Sequence, residues 1–152
     1  MGKLNNWLTL LANVGVIAGI LFLAYEIRQN TTSLHAAAIQ ASTEVARENI
    51  MTLVNDPSLI DLKNKEPEEL TQAEAQRLYW LSRSFWLSMQ GLWRQWELGV
   101  LPDEEWIVWQ RIICTNMNTD FGISGRTYWQ QSQGGLIPEF VELSESKCTE
   151  PH

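Results

Sequence analysis

The longest run of hydrophobic positions lies near the amino terminus. Nineteen consecutive residues, Trp7 to Tyr25, carry no charged side chain. As an α-helix rising 1.5 Å per residue, this run is about 27 Å long, close to the ~30 Å hydrocarbon core of a bilayer. Aromatic residues at both ends, with Lys3 and Arg28 just outside them, match the interfacial pattern of a spanning helix. The pattern predicts a transmembrane anchor over residues 1–30.

Two other interpretations of this run are a buried core helix and a cleaved signal peptide. Core helices of this hydrophobicity are usually shorter. A signal peptide needs small residues directly after its apolar run. Here the run ends in Leu23-Ala24-Tyr25-Glu26, and the first Ala-x-Ala pair, Ala36 and Ala38, lies well downstream. The uncleaved anchor is therefore the preferred interpretation.

Small and polar residues within the run suggest that the anchor associates with another helix. Gly15 and Gly19 are four residues apart, a spacing that lets two helices approach closely. Asn13 adds an amide that can form a hydrogen bond across a helix contact in lipid. The expected partners are the bilayer and either further copies of this chain or another membrane protein.

Hydrophobic residues continue at helical spacing beyond Arg28 (Leu34, Ala38, Ala41, Val45, Ile50 and Leu53). No proline interrupts residues 7–54, so one long helix is expected to pass from the anchor into the next domain. The polar segment 29–33 is the expected place for a kink. Asn55-Asp56-Pro57 should end this helix, because proline disfavours the helical conformation of the residue before it.

The remaining sequence, residues 31–152, is predicted to form a small helical domain. A short helix is expected over 57–62, and Thr71-Gln72-Ala73-Glu74 is a capping-box pattern that starts a helix running to Gly99. Further helices are expected from Pro102 to a break at Gly122 and Gly125, over 126–131 and over 138–143. No alternating strand pattern occurs. The predicted class is all-α, with one transmembrane helix extending into a long helix.

Tryptophan is unusually abundant, and six of the eight lie between Trp80 and Trp109. Aromatic residues at helical spacing are usually core, and this face is wide enough to contact two neighbours. A second hypothesis is that the cluster binds a cationic or apolar ligand, because indole faces attract cations. The residues of this possible ligand site are Trp86, Trp93, Arg94, Trp96, Trp106 and Trp109.

Charge and residue types argue against several function classes. The net charge is −7, and beyond Arg28 nine Lys and Arg face seventeen Asp and Glu, so nucleic acid is not an expected partner. The two histidines, His35 and His152, lack metal-ligand spacing, and no Gly-x-Ser-x-Gly or phosphate-binding loop occurs. We therefore expect no metal site, no cofactor and no catalytic residues.

Cys114 and Cys148 do not by themselves decide which compartment the helical domain faces. The pair can form one disulfide if the helical domain faces an oxidising compartment, or stay free if it does not. The positive-inside comparison is close to a tie, with Lys3 and the terminal amine on one side of the anchor and Arg28 on the other. The sequence predicts no orientation.

Several segments, in order, resemble a widespread group of small bacterial proteins of unassigned function. They are Tyr25-Glu26-Ile27-Arg28-Gln29-Asn30-Thr31, Arg94-Gln95-Trp96-Glu97-Leu98-Gly99, Asp103-Glu104-Glu105-Trp106, Gly125-Arg126 with Trp129, and Pro138-Glu139-Phe140-Val141. The resemblance implies a bacterial source, an amino-terminal anchor and a helical domain, and it supplies no catalytic residues. The resulting expectation is a single-pass inner-membrane protein acting as a non-enzymatic interaction or accessory subunit. A membrane-tethered ligand-binding domain is the alternative.

Overall fold

The structure is a computed structural model that describes residues 2–118 and 125–148. Within these ranges the chain is all-helical and contains no strand, as predicted. Six α-helices follow one another: α1 (Gly2–Asn55), α2 (Ser58–Lys63), α3 (Gln72–Glu97), α4 (Asp103–Asn118), α5 (Arg126–Ser132) and α6 (Pro138–Cys148). Short 3-10 helices occupy Pro67–Glu69 and Gln133–Gly135. The predicted break at Gly122 lies outside the described residues.

The described helices form two compact units that divide at Ala37/Ala38. The sequence-based division at residue 30 remains a prediction of where an anchor would end. The polar segment 29–33 is α-helical throughout. There Thr31, Thr32 and Ser33 donate hydrogen bonds to the carbonyl oxygens four residues earlier, at 3.0, 3.0 and 3.1 Å. These hydroxyls therefore form hydrogen bonds with the backbone of their own helix, as Ser and Thr side chains often do inside helices.

The first unit, Met1–Ala37, presents its apolar side chains outward. Every large apolar residue from Trp7 to Ile27 is at least 52% exposed. These side chains point in all directions around the helix axis. Among the described residues, this helix is the one long and apolar enough to cross a membrane, judged by length and composition.

The second unit, Ala38–His152, has a hydrophobic core built mainly from α3, α4, α5 and α6. Trp86 and Phe140 are fully buried at its centre, and Ala38 adds a contact from the last part of α1. A smaller cluster of Leu59, Leu62 and Leu78 packs α2 against the start of α3. Aromatic burial supplies much of the apolar area of this small core, at about 150–250 Å² per ring.

Both ends of α3 follow the local sequence signals. At the amino end, the Thr71 hydroxyl accepts from the Glu74 N–H at 3.3 Å, while the Glu74 carboxylate accepts from the Thr71 N–H at 2.8 Å. At the other end, Gly99 has a φ of +69° and its N–H donates to the Trp96 carbonyl at 2.8 Å. The capping box and the glycine stop are confirmed, because both depend on residues close in sequence.

The final helix, α6, runs to Cys148, five residues beyond the predicted end at Leu143. Phe140, Ser144 and Cys148, spaced four apart, are all buried along one face that packs on α4. Ser144 and Cys148 are small and do not register as a hydrophobic stripe. Contact with α4, rather than apolar spacing, extends this helix.

Candidate functional site

The predicted association residues of the anchor lie on different faces of α1. Gly15 and Gly19 share one face, and a Cβ atom placed on either meets no other atom within 4 Å. With 3.6 residues per turn, Asn13 is rotated roughly 200° from Gly15. The glycine pair and the asparagine therefore face opposite sides of the helix. One neighbouring helix cannot contact both groups.

The five tryptophans of the predicted ligand cluster belong to the core of the second unit. Trp86, Trp93, Trp106 and Trp109 are between 0% and 7% exposed, and Trp96 packs against the core at its margin. The structure brings all five to one side of α3 and the facing side of α4. Ring contacts place four of them in two groups.

The first group is centred on α3 and includes rings that the sequence analysis did not select. Trp86 contacts Trp129 edge to face at 4.6 Å between centroids, and Trp93 contacts Phe140 at 5.7 Å. Trp129 and Phe140 are themselves 6.1 Å apart. The available signal was weak, because Phe140 is the one aromatic residue of α6 and Trp129 has only the adjacent Tyr128 as an aromatic neighbour in α5.

The second group joins the end of α3 to the start of α4. Trp96 and Trp106 stack with ring centroids 5.2 Å apart and planes inclined by 16°. The Trp96 indole N–H also donates to the Asp103 carboxylate at 2.8 Å. Asp103 is in the first turn of α4, where negative charge favours the helix dipole. This contact fixes the corner between the two helices.

Arg94, the predicted cationic member of the site, lies at the surface. Its guanidinium donates to the Glu97 carboxylate at 2.8 Å, and 54% of the arginine side chain is exposed. The guanidinium carbon is 5.4 Å from the centroid of the Trp93 ring. An exposed pair of this kind contributes little stability. Arg94 and Glu97 thus form an ion pair at the surface, and the pair does not point into the aromatic core.

A shallow groove occurs on the outer face of α3, away from the predicted cluster. It has a volume of about 410 Å³ and is lined by Trp80, Arg83, Ser84, Leu87 and Ser88. Trp80 is 57% exposed and Leu87 43%. Arg83 reaches across to the Gly135 carbonyl, and its guanidinium occupies the space that a Cβ at Gly135 would fill. The 80/84/87 spacing that places these residues on one face is readable in the sequence.

Three buried polar atoms lie near the contact of α3 with α5. The hydroxyls of Ser82 and Ser132 and the indole nitrogen of Trp86 have no hydrogen-bond partner in the described structure. Both serines are 0% exposed. Small side chains let two helices pack closely, and the cost is that these polar groups lose hydrogen bonds to water.

The two cysteines are joined. Cys114 on α4 and Cys148 at the end of α6 form a disulfide with Cα atoms 4.8 Å apart. Both residues are buried within the core that contains the aromatic groups. Beside the bridge, the Asn118 side-chain amide donates to the Cys148 carbonyl at 2.9 Å.

Ionisable side chains do not assemble into a reaction centre in the described part of the chain. No group of three His, Cys, Asp or Glu that could hold a metal occurs among these residues. The carboxyls whose pKa is lowered belong to exposed pairs. A hydrogen bond from Arg47 lowers the pKa of Glu44, and one from Ser58 lowers that of Asp56. These shifts reflect hydrogen bonds at the surface.

No protein-family model matches the chain, and neither the curated proteins nor the solved structures include a significantly similar one. The resemblance to small bacterial anchored proteins therefore stays a prediction from sequence.

Proposed function

We propose that this protein is a non-enzymatic interaction or accessory subunit, anchored in a bacterial inner membrane by the first part of α1. The observation that carries the proposal is the outward exposure of every large apolar side chain between Trp7 and Ile27. A helix that is apolar on all sides needs an apolar surrounding, because exposed patches of this size are not stable in water. A bilayer supplies that surrounding over the required length.

The arrangement of Gly15, Gly19 and Asn13 supports assembly within the membrane. The glycine face allows close backbone approach, and the amide on the opposite face needs a polar partner in lipid. Because the two groups face opposite sides, we propose that the anchor packs between two neighbouring helices. Further copies of this chain or another membrane protein can supply these neighbours.

The alternative, a ligand-binding domain formed by the tryptophan cluster, has less geometric support. The rings of Trp86, Trp93 and Trp106 are buried against other rings, and Arg94 is bonded to Glu97 at the surface. A ligand entering between these rings would have to separate them and lose their packing energy. The interaction role is therefore the preferred proposal.

The test is cross-linking in native membranes, followed by mild purification and identification of what co-purifies. Gly15→Ile should remove one set of cross-links by blocking close approach, and Asn13→Leu should weaken another by removing the amide. Val14→Ile, which adds a single methylene group outside the glycine face, controls for substitution in this part of the helix. Recovery of a lone protein carrying a bound small molecule would contradict the subunit proposal and favour the alternative. Unchanged cross-links in both variants would contradict the two-neighbour arrangement.

A further inference from the structure

The pairing of the two cysteines bears on which side of the membrane the helical unit occupies. The chain has two cysteines, 34 residues apart, and the fold brings both to the same point of the core. Their Cα separation of 4.8 Å lies within the range that a disulfide spans without backbone movement. Two separate helices, α4 and α6, supply the partners, so the pairing results from tertiary packing and not from a local motif.

We infer that the second unit, Ala38–His152, faces the oxidising, extracytoplasmic side of the membrane, with the amino terminus in the cytoplasm. Disulfides persist in oxidising compartments and are rare in the cytosol, where thiols are kept reduced. This inference rests on the proposed anchor, because the apolar run is what separates the two compartments along one chain.

The bond forms by an exchange that conserves electrons. Two thiols lose two protons and two electrons, and a disulfide-bearing protein oxidant of the bacterial periplasm accepts them as its own disulfide becomes a dithiol. The exchange passes through a mixed disulfide before the second thiolate displaces the oxidant. Cys114 and Cys148 are 5% and 4% exposed in the folded unit. Oxidation therefore occurs before the core closes around them, and the finished bond is shielded from reductants.

The charges that flank the anchor are compatible with this orientation. Lys3 and the terminal amine precede the apolar run, and Arg28 is the one Lys or Arg between its end and Arg47. The positive-inside rule counts basic residues within about 15–20 residues of a span. By that rule Lys3 and Arg28 balance, so the flanking charges do not oppose this orientation. The bridge decides an orientation that these few charges leave close to balanced.

The orientation also restricts the partner of the proposed accessory subunit. Contacts made by the anchor lie within the bilayer, whereas any contact of the helical unit is made in the periplasm. A cytoplasmic protein could reach only residues that precede Trp7.

The thiol state of the full-length chain in its own bacterium tests the inference. Cells are quenched in acid, denatured and treated with a polymer-linked maleimide, with and without prior reduction. We expect no mobility shift without reduction and a shift of two labels after it. A Cys114→Ser/Cys148→Ser variant, which should show no shift in either lane, controls for labelling specificity. Two labels without prior reduction would overturn the inference.

Protease treatment of spheroplasts supplies a second measurement that does not depend on cysteine. A tag at the carboxyl terminus should be removed by added protease, and a tag at the amino terminus should survive until the membrane is lysed. The opposite pattern would overturn the assigned orientation even if the bond were present.

Alkaline carbonate extraction separates failure of the orientation from failure of the proposed anchor. If the chain stays in the membrane pellet but has free thiols, the result supports the proposed anchor and contradicts the inferred orientation. If the chain is released into the supernatant with the bond intact, the result contradicts the proposed anchor. The inferred orientation then fails too, because it depends on the anchor separating the two ends.

Discussion

In the first unit, the side chain of Ile17 is 58% exposed and its apolar neighbours are exposed to a similar degree. In the second unit, the larger side chain of Trp86 is 0% exposed and is enclosed by other aromatic rings. Both residues occupy α-helices of the same chain. The first part of α1 is apolar on all sides and exposes these side chains, whereas α3 has an apolar face that α4 and α5 cover.

This difference shows that an exposed apolar residue has a different meaning in each unit. Single exposed hydrophobic residues on the second unit, such as Ile107 at 55%, are ordinary for a protein surface. The continuous exposed surface from Trp7 to Ile27 is not, because it requires an apolar solvent. Matched substitutions in the two units can therefore distinguish the two kinds of exposure.

The largest expected effect is in the core of the second unit. Trp86→Ala should lower the free energy of unfolding by about 3–5 kcal/mol, because it leaves a cavity where several rings meet. Trp80→Ala, at a position 57% exposed, should change it by less than about 0.5 kcal/mol. Denaturant unfolding of the full chain in detergent, followed by circular dichroism, measures both. Equal losses would show that the assigned core is wrong.

The next effect is in the first unit and depends on the membrane. Ile17→Asp should weaken insertion by about 3 kcal/mol, because a carboxylate near the centre of a span is costly. Ile107→Asp starts from nearly the same exposure and should leave membrane recovery and folding nearly unchanged. The fraction recovered in the membrane pellet provides the measurement. Equal tolerance at the two positions would mean that both units have the same surroundings.

Reduction of the disulfide should affect the second unit alone. Cys148→Ser should lower its free energy of unfolding by about 2–4 kcal/mol, as expected for a bridge that closes a loop of this size. Membrane recovery should not change, because the anchor does not contain the bond. The wild-type chain measured with and without a reductant provides the control. A loss of membrane recovery on reduction would contradict independent behaviour of the units.

The smallest effect concerns pH and the start of α3. A hydrogen bond from Lys65, supported by bonds from Thr71, lowers the pKa of Glu74 from 4.5 to about 2. A lowered folded-state pKa contributes stability above pH 4.5 that is lost as the pH falls toward 2. The melting temperature of wild type should therefore exceed that of Glu74→Gln at pH 7 and approach it near pH 2.

Lys65→Met is the matched variant for the pH prediction. It removes the largest cause of the shift, so the wild-type loss of stability in acid should become shallower in this variant. A pH response of Glu74→Gln that is identical to that of wild type would exclude Glu74 as its source.

Local sequence determined much of this architecture. The uncharged run of residues 7–25, the end of α1 before Pro57, the Thr71–Glu74 capping box and the Gly99 stop all depend on residues close in sequence. Such features arise from helix geometry, hydrogen bonding within one turn and glycine's access to positive φ. The all-α class followed from them.

Tertiary structure decided what those signals could not. Two contacts join residues far apart in sequence: Trp86 with Trp129, and Cys114 with Cys148. The extension of α6 to Cys148 likewise depends on packing against α4. Spacing within one helix shows which residues share a face, but it does not show which faces of different helices meet. Packing of helix on helix sets these relations, because contact depends on position in space and not on distance along the sequence.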